Sequence, residues 1–235
     1  MKPPAGRARI SLVRVLRFAV LALCCTACSS ARATALPSET AGTVRYLALG
    51  DSFTIGTGAT PELSYPSRLT ARASCTVALR NVGVNGYTTA DVIDDELPEL
   101  ARFAPTFVSL AIGANDIVRG TSPATYREHV RRILAAVKAA GVKRVVTLPQ
   151  PDWSLSPAAR SFGEPPAILA RIVEANAILR EETLAVGASY VDLFPLMESQ
   201  ARLAMIAGDG LHPSAEAYDG WAAELAKQGV SPCGA

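Results

Sequence analysis

The chain has 235 residues, a length typical of one domain, and its 49% hydrophobic and 19% charged residues exclude a largely disordered protein. Its net charge of +2 conceals an asymmetry: six of the 23 Lys and Arg residues precede residue 36, where no Asp or Glu occurs. The remainder carries 17 basic and 21 acidic residues, and this balance differs from the basic face that nucleic-acid binding requires. We therefore expect no nucleic-acid partner.

The first 33 residues are typical of a bacterial export signal. Basic residues at positions 2–17 precede the apolar run 18–25, which is too short to span a membrane as a stable helix. Two processing routes remain open. Small residues near the end of the segment offer an Ala-x-Ala cleavage site. Alternatively, the sequence around Cys28 resembles a lipoprotein box, with Cys25 where an aliphatic residue is usual.

This interpretation divides the chain into three parts. Residues 1–33 form the signal (ending before Cys28 on the lipoprotein route), 34–43 a flexible tether and 44–235 one folded domain. We expect an exported monomer, either secreted or lipid-anchored at the bacterial cell surface. Its membrane contact is then confined to an anchor at Cys28.

The cysteine positions agree with export. Three of the five cysteines lie in or beside the signal, and only Cys75 and Cys233 fall in the folded part. An even pair in an oxidising compartment favours a disulfide, and two unrelated thiols are the alternative. Both remain open from the sequence alone.

Apolar strands alternate with helices along the folded part. The strands are predicted at residues 44–50, 76–82, 106–113, 143–148 and 189–193. The helices are predicted at residues 65–73, 90–100, 123–140, 167–186, 196–206 and 213–227. This alternation predicts right-handed βαβ units and an α/β fold with a parallel sheet covered on both faces.

Polar groups follow the predicted strands at the edge where a parallel sheet builds its sites. Ser52, preceded by Gly-Asp, ends the first strand, a glycine-rich stretch at 81–86 ends the second, and Asn115 follows the third. Asp209 and His212 lie together just before the last helix. A serine, a histidine and a carboxylate are the minimum set for an activated serine nucleophile.

The base has two candidates, because the chain contains two histidines. His129 lies within the 123–140 helix, off its apolar stripe, and we expect a solvated surface side chain. His212 lies at a loop-to-helix junction three residues after Asp209, where a turn can bring the carboxylate to the imidazole and fix its tautomer. His212 is therefore the better candidate for the base, with Asp209 as its acid, but taken alone this motif favours an Asx turn beside an incidental histidine.

In their order, these motifs resemble those of the SGNH, or GDSL, hydrolase family over about residues 44–228. The resemblance implies a Ser52 nucleophile, a His212 base and Asp209 as the third triad member. It also implies an oxyanion hole made by the backbone N–H groups of Ser52 and Gly86 and the side-chain amide of Asn115. The implied fold is a three-layer α/β/α sandwich with a five-stranded parallel sheet, flavodoxin-like. The implied activity is the cleavage of carboxylic (acyl) esters without a cofactor.

The second family block departs from the usual pattern. Gly86 is followed by Tyr87-Thr88 where the family often has Asp-Thr, so Tyr87 becomes a candidate for the pocket wall. Gly83 is a second candidate for the oxyanion-hole glycine.

Other classes of protein fit the sequence less well. No Gly-x-Ser-x-Gly elbow or nucleotide-binding glycine fingerprint occurs. Asp51, Asp116, Asp209 and His212 make a poor zinc set, so we expect no metal. A catalytically inactive exported binding protein on the same fold is the non-enzymatic alternative. A carbohydrate O-acetyl esterase, a thioesterase and a lysophospholipase all remain open, so the substrate is a small-molecule, lipid or glycan ester.

The proline-rich segment 149–166 is predicted to be a loop without secondary structure beside the site. Its large apolar residues are Trp153, Leu155 and Phe162, which either form a wall for an acyl or alcohol group or anchor the loop to the domain. Because the prolines restrict φ, we expect a fixed wall and a preference for short acyl esters.

Overall fold

A computed structural model describes residues 42–233. The predicted signal, the Cys28 lipidation site and nearly all of the predicted tether lie outside the described residues. Within residues 42–233, no helix combines the length and apolar character needed to cross a membrane.

A parallel β-sheet forms the centre of the fold. Its strands are β1 (Val44–Gly50), β2 (Val77–Asn81), β3 (Phe107–Ala111), β4 (Arg144–Thr147) and β5 (Ser189–Tyr190). The strand order is β2-β1-β3-β4-β5, and every neighbouring pair is parallel. The connection from β1 leads to β2 on one side, and the connection from β2 crosses to β3 on the other side of β1. The carboxyl ends of β1 and β3 therefore border the switch point where such sheets bind ligands.

Helices flank this sheet. They are α1 (Ser52–Ile55), α2 (Tyr65–Ala71), α3 (Thr89–Asp91), α4 (Pro98–Phe103), α5 (Ala114–Arg119), α6 (Pro123–Ala139), α7 (Pro165–Ala185), α8 (Phe194–Arg202) and α9 (Ala215–Lys227). A π-helical turn, Val92–Glu96, joins α3 to α4. Helix α2 packs against α9 and α6 against α7, and right-handed crossovers place these two pairs on opposite faces. The predicted α/β/α fold with a five-stranded parallel sheet is confirmed.

The core lies on both faces of the two central strands. All five residues of β3 are buried, and so are the last five of β1. On the α2–α9 side, the ring of Trp221 packs against Tyr65 and Tyr218, with centroids 6.2 and 5.1 Å away. Strands covered on both faces need continuous apolar runs, which explains why β1 and β3 were recognisable in the sequence.

The prediction of a structureless loop over residues 149–166 is wrong. Two 3-10 helices, Trp153–Leu155 and Pro157–Ser161, occupy the segment, and α7 already begins at Pro165. Proline fixes φ near the value that 3-10 helices use and is well suited to the first turn of a helix. The same prolines that indicated a loop therefore support short helical turns.

Cys75 and Cys233 form a disulfide, with their Cα atoms 5.7 Å apart. The bond joins the segment that follows α2 to the segment that follows α9, and these two helices are packing neighbours. Of the two alternatives left open by the sequence, the structure contains the disulfide.

Candidate active site

Ser52 lies directly after the carboxyl end of β1. Gly50 has a φ of +147°, and a Cβ at this position would lie 2.1 Å from the carbonyl oxygen of Ala111 on β3. Only glycine allows the two central strands to end this close together. Asp51 then caps α1 by accepting a hydrogen bond from the N–H of Phe53 at 3.0 Å. The strand, the glycine and the cap together hold the backbone of Ser52.

Ser52, His212 and Asp209 form a continuous hydrogen-bonded chain. The Nε2 atom of His212 lies 2.9 Å from Oγ of Ser52, and its Nδ1 atom lies 2.7 Å from Oδ2 of Asp209. The ring of Phe53 packs beside the imidazole, with the two centroids 5.4 Å apart. A neutral imidazole that donates Nδ1–H to Asp209 has Nε2 available to accept the serine proton.

The loop between α8 and α9 favours an ionised Asp209. Its Oδ1 atom accepts hydrogen bonds from the backbone N–H groups of Leu211 at 2.9 Å and His212 at 3.0 Å. Partial burial raises the pKa of Asp209, but these N–H groups and the imidazole outweigh burial and leave the pKa below its usual value. Asp209 therefore remains a carboxylate beside His212 at neutral pH.

Gly86 and Asn115 line the cleft together with Ser52. Gly86 lies in a turn with a φ of +83°, and Asn115 lies in the first turn of α5. The Asn115 amide donates one N–H to the carbonyl of Tyr87 at 2.9 Å, which orients the amide, and it has a second N–H for a ligand. Among residues 42–233, the backbone N–H groups of Ser52 and Gly86 donate to no other residue. Three residues with available hydrogen-bond donors thus line the same cleft.

Gly83, the second candidate for the oxyanion-hole glycine, has a packing role instead. It is buried beneath α1, where a Cβ would lie 2.9 Å from both the Asp51 carbonyl oxygen and the Ile55 nitrogen. Its N–H donates to Oδ1 of Asn81 at 3.2 Å and is therefore engaged.

The cleft beside Ser52 has a mostly apolar lining. Its apolar side chains are Phe53, Ala114, Val118, Trp153, Phe162 and Leu211. Trp153 is 4% exposed and Phe162 is 44% exposed, and the two rings meet edge to face with centroids 6.0 Å apart. Trp153 therefore forms a packed inner wall, whereas Phe162 lies at the mouth.

Tyr87 and Leu155 do not line this cleft. The hydroxyl of Tyr87 donates to Oδ2 of Asp95 at 3.0 Å, and the residue contributes to the site through the carbonyl that accepts from Asn115. Of the three residues predicted to line the pocket, Trp153 and Phe162 therefore line the cleft, whereas Tyr87 only supports it through its carbonyl.

The sequence matches the GDSL-like lipase/acylhydrolase family over residues 48–219. The chain belongs to this family. Membership makes it an ester-hydrolysing enzyme, and the motifs that carried the resemblance in the sequence all fall within the matched residues or border them. Among curated proteins, no sequence matches this GDSL-like hydrolase.

Solved structures share the fold of this GDSL-like hydrolase. The α/β-hydrolase enzyme LAE5 from the metagenome of Lake Arreo, Spain, is 21% identical, with 81% of this chain and 95% of that chain covered and a TM-score of 0.63. The lipase/acylhydrolase of Enterococcus faecalis is 23% identical, with 79% and 94% covered and a TM-score of 0.62. The acetylxylan esterase Axe2 of Geobacillus stearothermophilus is 18% identical, with 80% and 95% covered and a TM-score of 0.64.

Beneath the cleft, this GDSL-like hydrolase buries three carboxyl groups, each at most 3% exposed: Asp51, Glu96 and Asp116. Burial raises the pKa of Asp51 to about 7, against the opposing effect of the Phe53 N–H. Burial likewise raises the pKa of Glu96 to about 9, although the N–H of Gly50 donates to it. For Asp116, burial raises the pKa despite hydrogen bonds from Thr89. Neither these carboxyls nor any other group of three or more His, Cys, Asp or Glu side chains within residues 42–233 is placed to hold a metal ion.

Glu96 was not among the predicted site residues. It follows two exposed acids, Asp94 and Asp95, and a run of acids is typical of a solvated surface. A signal was nevertheless present, because Val92, Glu96 and Leu100 recur every four residues and all three are buried.

The prediction of a solvated His129 is wrong. The side chain is half-buried, and its Nδ1 atom lies 2.9 Å from Oγ1 of Thr89. That hydroxyl donates to Asp116 at 2.6 Å, so His129 belongs to a buried polar array behind Asn115. His129 lies three residues after Tyr126 and four before Ile133, which places it on the edge of the buried face of α6.

Proposed function

We propose that the chain is an exported serine esterase that cleaves acyl esters through Ser52, His212 and Asp209. The observation that carries the proposal is the unbroken chain of contacts from Oγ of Ser52 through the imidazole to Oδ2 of Asp209, at 2.9 and 2.7 Å, beside an apolar cleft. In an activated serine, these contacts allow the hydroxyl to lose its proton as it attacks.

In the first half of the reaction, Oγ of Ser52 attacks the ester carbonyl and its proton passes to Nε2 of His212. The carbonyl oxygen becomes an oxyanion and accepts hydrogen bonds from the N–H groups of Ser52 and Gly86 and the amide of Asn115. The imidazolium is stabilised by Asp209 and then donates its proton to the departing alcohol, which leaves an acyl-serine. Water repeats the sequence in the second half, releasing the carboxylic acid and restoring the serine hydroxyl.

The cleft lining favours small, uncharged acyl groups. Except for the proposed triad, no ionisable side chain in the described part of the chain lines the cleft, so a charged group close to the ester would lose its hydration without a partner. Trp153 limits the depth of the cleft because this side chain is 4% exposed and packs edge to face against Phe162. Acetyl and other short-chain esters, including O-acetylated sugars of the kind implied by the name of Axe2, suit this space better than long-chain lipids.

A fluorophosphonate probe tests the catalytic assignment, since such a probe reacts with an activated serine. The probe should label wild-type protein, and Ser52→Ala and His212→Ala should each abolish both labelling and hydrolysis of p-nitrophenyl acetate. Ser67→Ala is the matched control, because the hydroxyl of Ser67, on α2, donates to the carbonyl of Pro61 and lies outside the cleft. An unlabelled wild-type protein would indicate an inactive binding protein on this fold.

An acyl-length series tests the substrate proposal. Trp153→Ala should move the preference from acetyl towards butyrate or hexanoate while leaving the rate of probe labelling within about threefold of wild type. Even one methylene in a hydrophobic pocket changes selectivity by roughly 10- to 200-fold. Equal losses on every ester and on the probe would show that Trp153 supports the fold and does not select substrates.

Export is the final part of the proposal. The signal-like sequence of the first 33 residues and the disulfide between Cys75 and Cys233 both support an oxidising destination. Cell fractionation with mass spectrometry should find a mature monomer that is secreted or carries a lipid on Cys28. Full-length protein in the cytoplasm with free thiols at Cys75 and Cys233 would contradict export.

A further inference from the structure

Glu96 makes a direct contact with the turn that carries the serine. Its Oε2 atom accepts a hydrogen bond from the backbone N–H of Gly50 at 2.9 Å, two residues before Ser52. The π-helical turn Val92–Glu96, closed by a bond from the N–H of Leu97 to the carbonyl of Val92 at 3.0 Å, brings this carboxyl inward. Among residues 42–233, Glu96 is the only side chain that accepts a hydrogen bond from this N–H.

The remaining oxygen of Glu96 has a counterpart in Asp51. Oε1 of Glu96 and Oδ2 of Asp51 are both buried, and neither has a hydrogen-bond partner within residues 42–233. The two carboxyls are close enough for the charge of Asp51 to raise the pKa of Glu96. No lysine or arginine of the described residues forms an ion pair with either of them. A proton on Glu96 is therefore a means of relieving a buried acceptor that no described residue satisfies.

The other ionisable groups around the pair do not supply a positive charge. Asp91, Asp95 and Tyr87 lie around Glu96. Asp116, Tyr65, Tyr126 and Tyr218 lie around Asp51. The imidazole of His129 reaches this region only through Thr89 and Asp116.

We propose that Glu96 is a positioning residue that, in its protonated form, holds the Gly50–Ser52 turn in register for attack. One oxygen of the carboxyl accepts from the N–H of Gly50, and a proton on the other oxygen keeps this buried group uncharged. The proposal rests on the function proposed above, because its effect passes through Ser52. Deprotonation of Glu96 places a second negative charge beside Asp51 and drives the two segments apart.

Two substitutions separate the hydrogen bonding of Glu96 from its volume. Glu96→Gln keeps an acceptor for Gly50 and carries no charge, so it copies the protonated acid, whereas Glu96→Met fills the space without an acceptor. With full-length protein and p-nitrophenyl acetate, Glu96→Met should lower kcat by on the order of 10²-fold with KM within about threefold, as expected for a misplaced nucleophile. Glu96→Gln should retain kcat at neutral pH.

The pH profile provides the second measurement. Wild-type kcat should fall by roughly 10-fold between about pH 8 and 10.5 as Glu96 loses its proton, and this fall should be absent from Glu96→Gln. Glu182→Gln is the matched control: Glu182 is a buried acid of α7 paired with Arg127 and Arg131, and its loss should lower thermal stability without changing kcat or its alkaline profile.

The outcomes are distinct from those that test the catalytic proposal. A wild-type protein that the fluorophosphonate probe does not label overturns the catalytic proposal. If wild type is labelled but shares the same alkaline fall in kcat with Glu96→Gln, the role of the Glu96 proton is overturned. That profile decides the question even if Glu96→Met fails to fold.

Discussion

Two aspartates lie next to the proposed catalytic pair, Ser52 and His212, and their surroundings are opposite. Asp51 precedes Ser52 in the chain and is fully buried beneath it, whereas Asp209 lies in a surface loop with its side chain 41% exposed. Burial raises the pKa of Asp51 to about 7. For Asp209, two backbone N–H groups and the imidazole outweigh partial burial and lower the pKa.

The difference shows why the aspartate next to the serine in sequence is not the proposed triad acid. A carboxylate that stabilises an imidazolium must be charged at neutral pH and must reach the ring nitrogen. Asp209 meets both conditions, with Oδ2 at 2.7 Å from Nδ1 of His212. Asp51 meets neither, because its hydrogen bond is to the N–H of Phe53 and desolvation opposes its charge. Its place is in the floor that supports the turn.

Among the variants that test this comparison, Asp209→Asn should have the largest effect. The amide would favour the wrong imidazole tautomer and would not stabilise the imidazolium, so kcat should fall by on the order of 10⁴-fold with the fold intact. Steady-state kinetics with p-nitrophenyl acetate and a circular dichroism spectrum measure the two quantities. Asp51→Asn keeps the oxygen that caps α1 and should lose less than about 10-fold in kcat. Similar losses of kcat in the two variants would contradict the distinction between the exposed Asp209 and the buried Asp51.

The adjacent residues Asn115 and Asp116 repeat the comparison on the other side of the cleft. Asn115 lines the cleft, while Asp116 turns inward and accepts from the N–H and hydroxyl of Thr89 at 2.9 and 2.6 Å. Asn115→Ala should lower kcat by about 10²- to 10³-fold, the usual loss for one oxyanion-hole donor. Asp116→Asn should mainly lower the thermal unfolding midpoint. An effect of Asn115→Ala confined to KM would mean that this amide binds substrate without stabilising the transition state.

The residues proposed for the triad and the oxyanion hole were more predictable from the sequence than the buried carboxyls beneath them. Ser52, Asn115, Asp209 and His212 lie at strand ends or in a loop, where parallel strands converge and polar residues are conspicuous. Glu96 was not predicted, because an acid after Asp94 and Asp95 indicates a solvated face and only the π-helical turn brings it inward. A local departure from regular helix geometry leaves little trace in periodicity.

His129 was missed for a related reason. Its position was judged against the apolar stripe of one helix, but its environment is set by Thr89 on another element. Polar pairs between elements depend on tertiary packing, which the spacing of residues within one helix does not encode. The same limit applied to the disulfide, since the sequence supplied two cysteines but no distance between them.

The smallest expected effect is on the pH dependence of stability, where the two kinds of carboxyl should have opposite signs. Asp209 has a lowered pKa in the folded protein, so its contribution is present above its unfolded pKa and is lost as the pH falls through the folded value. Asp51 and Glu96 have raised pKa values of about 7 and about 9, so their contribution is fully present below the unfolded values and is lost as the pH rises through 7 and then 9. Since a change of 1 kcal/mol moves the midpoint of a domain of this size by about 2–4 °C, the wild-type midpoint should fall by roughly 5–10 °C between pH 5 and pH 9. Calorimetry should show a shallower fall in Asp51→Asn and Glu96→Gln, and an unchanged fall over this range in Asp209→Asn. If the midpoints of all three variants followed pH in parallel with wild type, the buried carboxyls would be no more coupled to folding than the exposed one.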